Sequence, residues 1–357
     1  LYLELDFLEG SGSIKGISAS LREENHRMVD IDEIDLKFNT EGILGKESAQ
    51  AGISIQSPQV RLARRSLEIL KTLLTFPEDR KDEGTSPLNE LSYIRLSDAS
   101  LEHNETKVST SAKELSIDFN KGKAIMSDVR ADRQDSGKRL ATIGKVTGTF
   151  SPEDFRDKEK PELALIVTDF QLIVGNELIS LLKSPDGLEK KNGPPELPFS
   201  VKQVLIGNSS MSFPGKPGIG AQKNLEIRQI FGHVNDPTIE EGTPLASFNI
   251  NATFEGRSRL IATGKLDLAH TPPQASVDFR LFDFDMTKVN PELRKNLPLT
   301  LREGEFNLIG EVIKRDKDIV GYVKPFLVDA SYLGNKREFK NPRHFFLEIG
   351  STVANWL

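Results

Sequence analysis

Apolar and polar residues alternate along most of the chain with a period of two, the mark of strands that bury one face. Leu115, Ile117 and Phe119 interleave with Ser116, Asp118 and Asn120. Phe248, Ile250, Ala252 and Phe254 interleave with Asn249, Asn251, Thr253 and Glu255. Leu260–Leu268, Ala275–Leu281 and Phe306–Val312 carry the same grain, as do Leu1–Leu8, Ile14–Leu21, Ile34–Phe38 and Ile53–Ile55. Turn formers such as Glu255-Gly256-Arg257, Thr271-Pro272-Pro273 and Glu303-Gly304 separate neighbouring runs. Such runs predict antiparallel meanders rather than βαβ units. On this pattern about half the chain is strand, against roughly 20–25% in ordinary globular domains.

Helical periodicity is confined to short stretches. Leu67, Leu70 and Leu74 form a stripe over 66–76 that Pro77 ends, and Asn176 caps a turn through Leu178, Ile179, Leu181 and Leu182. Asn290-Pro291 opens a third short helix. From Pro342 onward Phe345, Ile349, Val353 and Trp356 make an amphipathic stripe. That last helix is expected to cap an open end of the sheet, with docking to a membrane or partner as the alternative.

The strongest break is SPDGLEKKNGPPELP at 184–198. It divides the chain into a β module at 1–183 with a helical insertion, a linker at 184–198, a second β module at 199–341 and the helix at 342–357. A short repeat spans that break. LSYIRLSDASL at 91–101 matches VKQVLIGNSSM at 201–211, with Ile94 against Val204, Leu96 against Ile206, Asp98 against Asn208 and Ser100 against Ser210. Similar sheet modules therefore follow one another along the chain.

Composition narrows the chemistry. Of 357 residues, 47 are Lys or Arg and 53 are Asp or Glu, a net charge of −6, so no basic face is on offer for nucleic acid. Cys is absent, which removes disulfides, thiolate metal sites and Cys nucleophiles. No apolar run approaches the roughly 18 residues of a membrane-spanning helix. The five histidines, His26, His103, His233, His270 and His344, form no metal-binding pair. No nucleophile elbow or P-loop occurs, Gly10-Ser11-Gly12 is a turn between strands, and Asp30, Asp32 and Asp35 lack the spacing of a calcium loop. Asp283 and Asp285 read as the polar side of a strand. The expectation is a non-enzymatic protein without a cofactor or metal.

A sheet with one apolar face must cover it with a second sheet, with helices or with a ligand. The helices are too few for the strands. A sandwich, a barrel or a trough lined for lipid remain, and 20 Phe against 4 Tyr and 1 Trp suits a dry surface without polar atoms to satisfy. Ile117, Phe119, Phe248, Ile250, Phe254, Val277, Phe279, Leu281, Phe306 and Leu308 are the candidate lining residues. The alternative is a structural or interaction module whose apolar faces form an ordinary sandwich or solenoid core.

Three stretches resemble the AsmA-like superfamily of bacterial envelope proteins. They are MVDIDEIDLKFN leading to ISIQSPQVRL within 28–62, the repeat at 91–101 and 201–211, and the succession over 258–333. That succession holds GKLDL, PQASVDFRL, Asn290-Pro291-Glu292-Leu293, GEFNL and GYVKPF. The resemblance implies a mainly β fold, an elongated, twisted antiparallel sheet curved into a taco-like trough with a few short helices. It implies a body in the periplasm, held at the inner membrane by a helix preceding this chain. It also implies phospholipid or another acyl-chain lipid as partner, with envelope proteins at the trough ends, and a role in carrying lipid toward the outer membrane.

Overall fold

The computed structural model describes residues 2–6, 9–21, 26–39, 50–62, 91–103, 106–157, 161–183, 199–214, 224–237, 245–270, 274–289, 300–315 and 318–333. The protein is mainly β, and its backbone contacts divide it into two compact units, 1–225 and 226–357.

The first unit holds eleven strands: β1 (Tyr2–Asp6), β2 (Ser11–Leu21), β3 (His26–Phe38), β4 (Ala51–Gln56), β5 (Gln59–Leu62), β6 (Leu91–His103), β7 (Val108–Asp118), β8 (Lys123–Arg133), β9 (Arg139–Thr149), β10 (Glu162–Ile173) and β11 (Ser200–Phe213). Neighbours in sequence are neighbours in the sheet. β4 and β5 lie end to end as one broken strand between β3 and β6. Most pairs are antiparallel, as the short turns predict. Two are parallel: β4 and β5 with β6, and β10 with β11. A parallel pair needs a crossover of a dozen or more residues, and both joints follow the long connections at 63–90 and 174–199. The repeated motif is the second strand of each parallel joint, β6 and β11.

The second unit holds six antiparallel strands in sequence order: β12 (Leu225–Asn235), β13 (Ala246–Phe254), β14 (Ser258–Asp267), β15 (Gln274–Asp285), β16 (Thr300–Arg315) and β17 (Asp318–Leu333). A 3₁₀ turn at Met286–Val289 packs on β16. Phe254, Leu281, Phe284, Met286, Phe306 and Leu308 form a closed core there, with Phe284 1% and Met286 0% exposed. Phe284 meets Phe254 at 5.7 Å and Phe306 at 6.4 Å between ring centroids.

Two short helices are present among the described residues, α1 (Pro152–Asp157) and α2 (Asn176–Lys183). The second is the turn expected here, but Asn176 is its first residue and not its cap, since Ile179 N bonds Gly175 O at 3.0 Å. The first escapes periodicity because it is under two turns long, but its start is explicit: Pro152 follows Ser151, whose hydroxyl accepts from Asp154 N at 3.4 Å. The helices expected at 66–76, after Asn290 and at 342–357 lie outside the described residues, as does the break at 184–198. β10 and β11 pair on either side of that break, and the two units part after Leu225.

Candidate functional site: an apolar sheet face with an aligned kink

Register converts the alternation of single strands into rows that cross the sheet. Ile14, Ile34, Ile55, Leu96, Leu115, Met126, Val146, Val167 and Ile206 stand opposite one another in succession from β2 to β11. The next row runs Gly12, Leu36, Ile53, Ile94, Ile117, Ala124, Gly148, Leu165 and Val204. The opposite face is largely polar, with Ile125, Ile166 and Leu205 as apolar exceptions. Its row beside the first reads Lys15, Glu33, Gln56, Ser97, Glu114, Ser127, Lys145, Thr168 and Gly207. In that row Lys15 bonds Glu33 at 2.9 Å, and Ser13 also donates to Glu33 at 2.9 Å. Both hold the Glu33 carboxyl below its ordinary value, and Lys15 is correspondingly raised.

The rows do not run straight to the strand ends. In every strand from β2 to β11 the apolar phase slips by one residue at the same level, leaving two consecutive residues off the apolar face. The pairs are Ser97-Asp98 in β6, Lys113-Glu114 in β7, Ser127-Asp128 in β8, Gly144-Lys145 in β9, Thr168-Asp169 in β10 and Gly207-Asn208 in β11. Lys15-Gly16, Asp32-Glu33 and Gln56-Ser57 continue the line. Gly16, Ser57, Asp98, Asp128, Asp169 and Asn208 adopt left-handed φ angles of 46–67°. That region disfavours most side chains, and Asp and Asn tolerate it best after Gly.

Backbone groups displaced by the kink find other partners. Ser57 N donates to Ser97 O at 2.8 Å, and Ser100 N to Pro58 O at 2.9 Å. At the second parallel joint the Ser209 hydroxyl, 1% exposed, accepts from Phe170 N at 3.3 Å and donates to Gly207 O at 3.0 Å. Asn208 donates to Asp169 Oδ1 at 2.5 Å. Left-handed residues at one level in neighbouring strands interrupt the extended backbone along a line across the sheet. Beyond that line the apolar face resumes with Leu101, Thr110, Ala131, Ala141, Leu172 and Met211.

Every side chain of the first row is half-buried, the state of a sheet face that has neighbours beside it and, among the described residues, no second layer above it. A closed core looks different, as the second unit shows. Among the candidate lining residues, Ile117, Phe248, Ile250, Val277 and Phe279 are half-buried. Phe119, Phe254, Leu281, Phe306 and Leu308 are under 10% exposed. The last four belong to the closed core, so an accessible face is offered by the first five. Phe248 and Phe279 lie across Gly264 and Gly310 of the neighbouring strands, where a Cβ would come within 2.8 Å and 2.5 Å of the rings.

Alternation within a single run does not disclose the kink, which lies at the phase breaks between runs. Its signal is a polar doublet flanked by apolar residues at spacing two on each side, as in Ile94-x-Leu96-Ser97-Asp98-Ala99-x-Leu101. Asp283 is exposed within β15, as its reading as the polar side of a strand predicts. It sits in a left-handed kink of β15 (φ 59°) and its N–H donates to Asn307 Oδ1 at 2.9 Å.

A shallow concavity of about 480 Å³ is lined by Tyr93, Arg95, Glu114, Asp118, Lys121 and Lys123 together with Ile94, Ile117 and Ile125. Arg95 pairs with Glu114 at 3.6 Å and Lys121 with Asp118 at 3.0 Å, so two of its cations are already matched. Among the described residues no group of three or more His, Asp or Glu is placed to hold a metal, and no helix is long and apolar enough to cross a membrane. No protein-family model matches the chain, and no curated protein shows significant similarity to it.

Proposed function

We propose that the protein is a non-enzymatic lipid-binding protein that carries phospholipid acyl chains along the apolar face of its sheet. The observation that carries this reading is the run of half-buried apolar rows across nine strands of the first unit, with no ionisable side chain in those rows. At about 4.8 Å between strands and 3.3 Å per residue, the face measures on the order of 40 by 20 Å. That exceeds the roughly 300–600 Å² of the largest apolar patch on a typical soluble monomer. Acyl chains suit such a face because they need no hydrogen-bond partners and tolerate any position along a row. The resemblance to AsmA-like proteins supports the same reading and extends it to lipid transfer in a bacterial periplasm, with envelope proteins at the ends.

The rival reading, a structural module with an ordinary core, is favoured by the packed corner of the second unit around Phe284 and Met286. Lipid extraction and native mass spectrometry of the purified chain separate the two. Phospholipid bound in stoichiometric amounts, and lost in a Met126→Asp variant that stays folded, is the expected result. A lipid-free chain that also fails to take up phospholipid from vesicles overturns it.

A further inference from the structure

Among the described residues β17 pairs with β16 along one edge, and no strand pairs with its other edge. It is 16 residues long and apolar on both sides at its start. Ile319 is 71% exposed, Val320 68%, Tyr322 48% and Val323 52%. Because successive residues of a strand point to opposite faces, a helix laid on one face would leave half of these side chains in water. A strand added at the edge flanks both sets at once.

The order of residues in this segment is complementary to itself. An antiparallel partner centred on Gly321 sets Asp318 opposite Lys324 of the second copy, Ile319 opposite Val323, Val320 opposite Tyr322 and Gly321 opposite Gly321. Every opposed pair is then apolar with apolar or acid with base, and each occurs twice by symmetry except Gly321 with Gly321, which lies on the axis. The faces agree as well. Ile319, Gly321 and Val323 share the face of Val312 and Gly310, while Asp318, Val320, Tyr322 and Lys324 share the other. Lys324 Nζ lies 5.1 Å from the Tyr322 ring centroid, which holds the cation along the strand. Pro325 follows immediately and, having no N–H, limits how far a ladder extends in that direction.

We propose that residues 318–324 of β17 form a two-fold interface with the same segment of a second copy, joining the two sheets edge to edge. The two-fold axis stands perpendicular to the sheet, so the apolar faces of the two second units lie on one side of the joined sheet. This interface does not depend on what the apolar face binds.

The test is sedimentation velocity on the full chain over a range of concentrations, with charge reversals. The wild-type chain is expected to form dimers. Lys324→Asp, which opposes two carboxylates at both ends of the ladder, is expected to weaken the dimer about tenfold. The double variant Asp318→Lys/Lys324→Asp is expected to restore it. Register is read separately by oxidative cross-linking, since the natural chain has no Cys. Directly opposed residues lie about 4.5–5.5 Å apart between Cα atoms, within disulfide range. Ile319→Cys and Val323→Cys chains should cross-link when mixed and not with themselves. A monomer at every concentration, a Lys324→Asp dimer as tight as wild type, or self-linking of Ile319→Cys chains equal to the mixed reaction would overturn the proposal.

Discussion

The kink across the first unit makes a specific demand on Asp128. Its φ of 50° lies in the left-handed region, in the middle of β8, with Ser127 paired to Lys145 and Val129 paired to Ile143 on either side. A β-branched side chain held there costs roughly 1–2 kcal/mol relative to a residue that tolerates the region. Asp128→Val is therefore expected to destabilise by about that amount, and Asp128→Gly to stay within about 1 kcal/mol of wild type. Arg130→Val is the control, because Arg130 is exposed on the same strand with ordinary backbone angles. Asp98, Asp128 and Asp169 stand in β6, β8 and β10, two strands or about 10 Å apart, so their costs should add. The triple Val variant then loses about 3–6 kcal/mol, a large share of the roughly 5–15 kcal/mol that holds a typical domain. Urea unfolding followed by circular dichroism measures each variant. If Asp128→Val and Arg130→Val cost the same, the left-handed backbone at Asp128 is not a constraint on the residue it holds.

Three further outcomes follow from individual contacts. Ser209→Ala leaves Phe170 N without its hydroxyl acceptor in a buried position and should cost about 1–3 kcal/mol in the same unfolding assay, whereas Ser210→Ala on the polar row should be near neutral. Phe279→Asp should reduce bound phospholipid while the chain remains folded, because Phe279 is half-buried; Phe284→Asp, at 1% exposure, should unfold the second unit. Glu33, held below its ordinary value by Lys15 and Ser13, contributes stability above the unfolded-state value near 4.5 that is lost as pH falls through the folded-state value. Lys15 is exposed and Glu33 only partly buried, so the effect of the pair is small and salt-sensitive. Titration of Glu33 by NMR should shift upward in Lys15→Ala, and an unchanged midpoint would remove Lys15 as the cause.

Much of the architecture is legible in single strands. Alternation located the strands because each residue's face depends only on its neighbours along the chain, so Leu115–Phe119 and Phe248–Phe254 declare themselves without any partner. The start of α2 is legible to within a residue: Asn176 is its first residue, and the carbonyl of Gly175 before it accepts the first helical bond, from Ile179 N. The pairing of β10 with β11 in parallel was not legible, since an extended strand looks the same whichever way its neighbour runs. Nor was the separation of Ile117 and Phe279 from Phe254 and Phe306. All four alternate alike, but Phe254 and Phe306 close with Phe284 and Met286 into a core, Phe279 packs half-buried at its margin, and Ile117 lies in the other unit. The kink stands between these cases. Each polar doublet is written in the chain, from Lys15-Gly16 to Gly207-Asn208, but that the doublets form one line is a property of register. Register is set by hydrogen bonds between strands, and only the tertiary structure brings Asp98, Asp128 and Asp169 to one level.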